Sequence, residues 1–101
     1  MSIISGFDGL LKICDKLPDV GWIYVEPSFD LQSESDIKNG TYFLADNEDE
    51  EIDFEDNYGT FLEAPIFKAI IHNKLKNHPA SNETDFLEAV VYYLENDDFL
   101  D

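Results

Sequence analysis

An α+β fold, a small three-stranded antiparallel sheet with three helices packed on one face, is what this sequence predicts, and three observations predict it. Apolar residues make up 44% and aromatics 14% of a chain whose formal net charge is -17. That composition folds, whereas disordered acidic chains are poor in both residue types. At 101 residues there is material for one domain (1–101) with a modest core and little room for a deep catalytic cleft. Apolar positions at helical spacing and short β-branched or aromatic runs then follow one another in the order helix, strand, strand, strand, helix, helix.

The first helix is predicted from Phe7, Leu10, Leu11, Cys14 and Leu17, which share a stripe opposite Asp8, Lys12, Asp15 and Lys16. Ser5 is its expected N-cap and Pro18 its stop, since proline lacks an N–H and restricts the residue before it. Trp22–Val25 and Thr41–Ala45 read as strands, the second opened by the Asn39-Gly40 turn signal. Glu51–Glu55 alternates acids with Ile52 and Phe54, a period of two that predicts a third strand, paired with the second as a hairpin whose tip is Asn47–Glu50. Pro27–Lys38 is expected to be a polar loop and Asn57–Gly59 a turn. Ala64–Lys76 places Ile66, Phe67, Ile70, Ile71 and Leu75 on one stripe with Pro65 in the first turn, and reads as a second helix. Asn82–Glu95 opens with a capping pattern, Asn82 with Asp85, and is expected to bury Phe86, Ala89, Val90, Tyr93 and Leu94. Phe99 and Leu100 are expected to fold back on the core.

Function is argued from charge. Asp46, Glu48, Asp49, Glu50, Glu51, Asp53, Glu55 and Asp56 place eight carboxylates in eleven residues, and no Lys, Arg or His occurs from Asn39 to Phe67. Such a field works against the compact state and suits a positively charged macromolecular partner. The plainer reading is a solvated hairpin that keeps the protein soluble and discourages edge pairing. Favouring an interface are Tyr42, Tyr58 and Tyr92, with Trp22 as a further candidate, which look exposed enough to act as anchors. Core packing is an equal alternative for Tyr58 and Tyr92, and Trp22 and Phe54 read as core residues.

Several chemistries are disfavoured. The basic residues are six lysines and no arginine, so neither nucleic acid nor an anionic membrane has a landing site. Calcium fails on spacing: counted from Asp53, Tyr58 stands where the calcium loop needs glycine and Ala64 where it needs glutamate. His72, on a polar stripe with Lys68 and Lys76, and His78, at a helix end, read as a solvated face and a helix-terminal cation. No catalytic residue, metal or cofactor is expected. Met1–Leu11 lacks a cationic segment followed by an apolar run, no stretch approaches the roughly 20 apolar residues of a membrane span, and the lone Cys14 reads as a small buried residue. A cytoplasmic protein is expected.

The segments Leu17–Pro27 (LPDVGWIYVEP) and Phe86–Leu100 (FLEAVVYYLENDDFL) resemble a family of small acidic bacterial proteins that includes immunity proteins of contact-dependent growth inhibition. The resemblance implies a protein that tightly binds a toxic domain delivered by a neighbouring cell, often a DNase or a tRNA-cleaving RNase, and it implies no catalytic residues. Charge then suggests the binding set: the eight acids from Asp46 to Asp56, with Tyr58 as an aromatic anchor. Replacing Glu48, Asp49, Glu50 and Glu51 by Lys or Gln is expected to slow association and leave the fold intact. The rival reading is an acidic mimic of nucleic acid, which calls for carboxylates regularly spaced over an elongated surface; Glu83, Glu88, Glu95, Asp97 and Asp98 could extend the acidic run along the last helix. An enzyme is the weakest of the three.

Overall fold

Tyr24 and Phe43 are register partners in the sheet and point to the same side, while their neighbours Ile23, Val25 and Tyr42 point to the other. Both sides are buried, so the sheet is covered on two faces. The computed structural model describes residues 1–100. Strands β1 (Ser2–Ser5), β2 (Trp22–Val25), β3 (Thr41–Leu44) and β4 (Gly59–Glu63) form one antiparallel sheet in the order β1-β3-β2-β4. Five α-helices accompany it: α1 (Gly6–Lys12), α2 (Glu34–Asn39), α3 (Glu48–Asn57), α4 (Ala64–Asn77) and α5 (Glu83–Asn96). The α+β class holds. The three-stranded sheet with three helices does not, because the edge strands β1 and β4 and the helices α2 and α3 were not anticipated.

The larger core lies between one sheet face and α1, α4 and α5, around Phe7, Leu10, Tyr42, Phe67, Ile70 and Val90. The smaller core lies on the other face, where α3 brings Phe54 against Tyr24 and Phe43. Helices on one face only are therefore also corrected.

Local chemistry explains the boundaries. Gly6 adopts φ 74°, a left-handed conformation suited to glycine, and turns the chain out of β1 while its N–H donates to the Gly40 carbonyl at 2.8 Å. Ser5 occupies the N-cap position of α1 without a capping bond from its side chain. The helix expected to reach Leu17 stops at Lys12. A 3-10 turn, Cys14–Lys16, follows, and Leu17 is extended before Pro18. Within the expected loop 27–38, Ser33 caps α2 by accepting the Asp36 N–H at 3.2 Å, and Ile37 anchors that short helix in the core. Gly40 has no room for a side chain: a Cβ would lie 2.5 Å from the Asp36 carbonyl oxygen and 2.6 Å from the Phe29 ring.

The strand over Glu51–Glu55 is α3 instead. In a helix Ile52 and Phe54 face nearly opposite ways, and Ile52 is exposed while Phe54 is buried. The expected turn 57–59 is where α3 ends and β4 begins. Between Trp22 and Tyr24 the pairing of β2 with β4 shifts register, and consecutive Phe61 and Leu62 are both buried beside it. Helix α4 matches its expected span with Pro65 in the first turn, although Leu75 is exposed. Helix α5 opens with the expected capping box: Asn82 and Asp85 each accept the other's N–H, both at 3.0 Å. Its buried residues are Leu87, Ala89 and Val90, with Phe86, Tyr93 and Leu94 half-buried. Leu100 packs on the core, whereas Phe99 is exposed and lies against Tyr93 with ring centroids 5.5 Å apart.

Candidate functional site

The acidic run is a helix laid across the outer face of the sheet. Asn47 starts it by accepting the Glu50 N–H at 2.9 Å, and four acids, Glu48, Asp49, Glu50 and Glu51, occupy the first turn, where the helix dipole favours them. Phe54 and Tyr58, one turn apart, fasten it: the Phe54 ring lies 5.1 Å from Tyr24 and 4.9 Å from Tyr58, and Tyr58 lies 5.1 Å from Phe43. Tyr58 is therefore half-buried packing rather than a protruding anchor. Tyr42, expected at the surface, is buried on the opposite face, where its hydroxyl donates to the Ile37 carbonyl.

The helix divides the predicted site in two. Glu48, Asp49, Asp53, Glu55 and Asp56 are exposed, as is Asp46 just before the helix. Glu50 and Glu51 are half-buried and turn inward. Glu50 accepts the Asp46 N–H at 2.9 Å and pairs with the Met1 ammonium at 2.8 Å, and Asp46 pairs with the same ammonium. The chain terminus thus supplies a cation the local sequence lacks. On the outward side the charges are uncompensated, and the last turn of α3 carries Glu55 and Asp56 with no basic residue. Glu48–Glu51, Asp49–Asp53, Glu51–Glu55 and Asp53–Asp56 are like-charged neighbours at helical spacing, each unfavourable by about 0.2–0.5 kcal/mol. The two terminal acids also oppose the dipole.

The Met1 group gives a pH signature. Asp46 and then Glu50 raise the Met1 amino pKa from its ordinary value of 8.0, while that ammonium lowers the Glu50 carboxyl from 4.5. A raised cation stabilises below its unfolded pKa and is lost as pH rises through the folded one; a depressed acid stabilises above its unfolded pKa and is lost as pH falls through the folded one. The contact is therefore complete between about pH 4.5 and 8. Reaction of Met1 with an amine label across pH should give a midpoint above 8.0, and Asp46→Asn should lower it; an ordinary midpoint in the parent protein would remove the contact.

Apolar surface borders these acids. A cleft of about 330 Å³ runs between the β2 approach and the start of α3; Pro18, Val20, Trp22 and Leu44 give it an apolar lining, and Glu48 and Glu51 rim it. Val20 is 78% and Trp22 39% exposed, so Trp22 is not the core residue expected, and Ile52, one turn beyond Glu48, is 59% exposed. Trp22 is the exposed alternative the sequence also offered, since the apolar run it opens gives no sign of which side is covered, whereas Val20 and Ile52 were missed.

Beneath the helix, Tyr24 is fully buried, and among the described residues its hydroxyl has no hydrogen-bond partner. Burial, and then the charges of Glu51 and Glu55, push its pKa up. An unsatisfied buried polar group costs about 1–3 kcal/mol. Tyr24→Phe should therefore raise stability by about 1 kcal/mol in denaturant unfolding, and a loss of similar size would mean that the hydroxyl is bonded after all.

Fold and surface together define a small α+β domain built to hold an acidic helix and an adjoining apolar cleft in the open. The chain belongs to the family described as Domain of unknown function (DUF7716), whose model matches residues 8–101 and so spans the whole of α3 and the cleft. No curated protein and no solved structure matches it. Among the described residues no helix is long and apolar enough to cross a membrane.

Proposed function

We propose that the protein is a non-enzymatic cytoplasmic immunity protein that binds and neutralises a basic toxin domain, a nuclease acting on RNA or DNA, through the outer face of α3 and the cleft beside it. The observation that carries the reading is the uncompensated charge of α3, held in place against its own like-charge repulsion. Rules of local stability are broken most often where function requires it. Nuclease surfaces are basic because they bind phosphate, so the acids would steer association and exclude the nucleic acid, while residence time would come from apolar contact at Val20, Trp22 and Ile52.

The rival mimic of nucleic acid is less well supported. The α5 acids Glu83, Glu88 and Glu95 belong to the helix layer on the other side of the sheet from α3 and do not extend its array.

The test is capture. The immobilised protein is exposed to a lysate of its source cell together with the product of any adjacent toxin gene, and washed at low salt and then at about 0.5 M, where surface attraction is screened. Retention of one basic toxin domain through the second wash, with loss of its nuclease activity, is the expected result. Elution of nucleic-acid-binding proteins alone, all released by salt, would replace this reading with the mimic.

A further inference from the structure

Away from the acidic helix, the turn Cys14–Lys16 and the middle of α4 bring three donors of different chemistry together. The Cys14 sulfur, an Asp15 carboxylate oxygen and a His72 ring nitrogen all lie within 4.8 Å of one another. They stand at a cleft of about 320 Å³ with apolar walls from Leu11, Ile71, Leu75 and Phe86. His72 Nε2 is 3.1 Å from Asp15 Oδ1, a contact between residues 57 positions apart. With its proton on Nε2 the ring donates to that carboxylate; with the proton on Nδ1, the Nε2 lone pair is free to bind a metal. In the second tautomer one metal ion can take the ring nitrogen, the carboxylate and the sulfur together.

From this geometry we propose that Cys14, Asp15 and His72 form a binding site for a borderline divalent ion of the zinc class, with the cleft supplying the remaining position. A mixed sulfur, nitrogen and oxygen set suits zinc and not calcium or magnesium, which take oxygen donors. Thiolate and carboxylate together balance a divalent charge. Tetrahedral zinc with bonds of about 2.0–2.3 Å needs donors about 3.3–3.8 Å apart, so the 3.1 Å edge between Asp15 and His72 opens slightly while the edges to the sulfur, within 4.8 Å, adjust to that range. Asp15 and His72 are exposed and can rotate to make it, whereas Cys14 is held in the core. Lys68, the nearby cation, is engaged with Asp19 at 3.3 Å. Burial keeps the free thiol protonated, so metal uptake releases a proton. Bound metal would pin the 3-10 turn to α4.

Cobalt(II) is the probe, titrated into the reduced full-length protein under anaerobic conditions. The expected result is a thiolate-to-cobalt charge-transfer band that saturates stoichiometrically and is displaced by zinc. His72→Gln should weaken cobalt binding by about tenfold or more, while His78→Gln, outside the triangle, should leave it unchanged. Cys14→Ser should abolish the band, and because that site is buried, the exposed His72 variant keeps the test independent of folding. Absence of the band at saturating cobalt, or a band of unaltered affinity in His72→Gln, overturns the site.

Discussion

Phe54→Ala is expected to destabilise the protein by about 3–5 kcal/mol, the range for truncating a buried phenylalanine, and to release α3 from the sheet. The size follows from what Phe54 touches. Its ring is buried and lies within 6.3 Å of Tyr24, Phe43 and Tyr58, so removing it empties the smaller core. Nothing else holds the helix strongly. Ten residues are too few for a helix to persist alone in water, and this one contains no favourable charge pair of its own. The Asn47 cap and the Met1 contact restrain only its first turn. The opposite face keeps its own cluster around Phe7, Phe67 and Val90, so the loss should be uneven. Hydrogen exchange should show α3 amides unprotected while those of Ile23 and Tyr42 remain slow, alongside a thermal midpoint lower by more than about 12 °C. Retained protection in α3 would mean that its caps, not Phe54, hold it. Under the proposed function the variant should also fail to capture the toxin at full carboxylate content, because the acids act as an oriented surface and not as a charged segment.

Much of this fold was legible in the sequence. Periodicity marked α4 and α5, Asn82 and Asp85 marked the start of α5, and apolar composition marked β2 and β3. Helix α3 was not legible because its inward stripe is Glu50, Glu51, Phe54 and Tyr58, of which only Phe54 is fully buried and only the last two are apolar. The sheet supplies the rest of the smaller core, so the helix needs little hydrophobic surface of its own, and Ile52 beside Phe54 mimics a strand period. The signal that identifies it is Asn47 with Glu50 three positions on, ahead of a first turn of acids, and Ser33 with Asp36 marks α2 in the same way. The charge of the candidate surface was fully visible. Its division into an outward and an inward set, the cation from Met1 and the cleft at Val20 and Trp22 depend on long-range packing that no local pattern encodes.

Replacing Asp53, Glu55 and Asp56 by their amides should move stability and association in opposite directions. Under the proposed function, association with the basic partner should slow by about 10- to 100-fold at low ionic strength and lose most of its salt dependence. Dissociation should change much less, because it depends on the apolar contacts. The same substitutions remove like-charge neighbours and take two carboxylates from the negative end of the helix dipole, so the free protein should gain about 1–2 kcal/mol. The first-turn set Glu48–Glu51, which the linear sequence singled out, is a poorer choice. Those acids complement the dipole, Glu50 holds Met1 and the Asp46 N–H, and their loss would weaken the helix along with the interface. Stopped-flow association and denaturant unfolding of the same variant separate the two effects. Slower association with higher stability identifies charge kept for binding at the expense of the fold. Unchanged association would remove α3 from the interface, and reduced stability would refute the like-charge argument on which the functional reading rests.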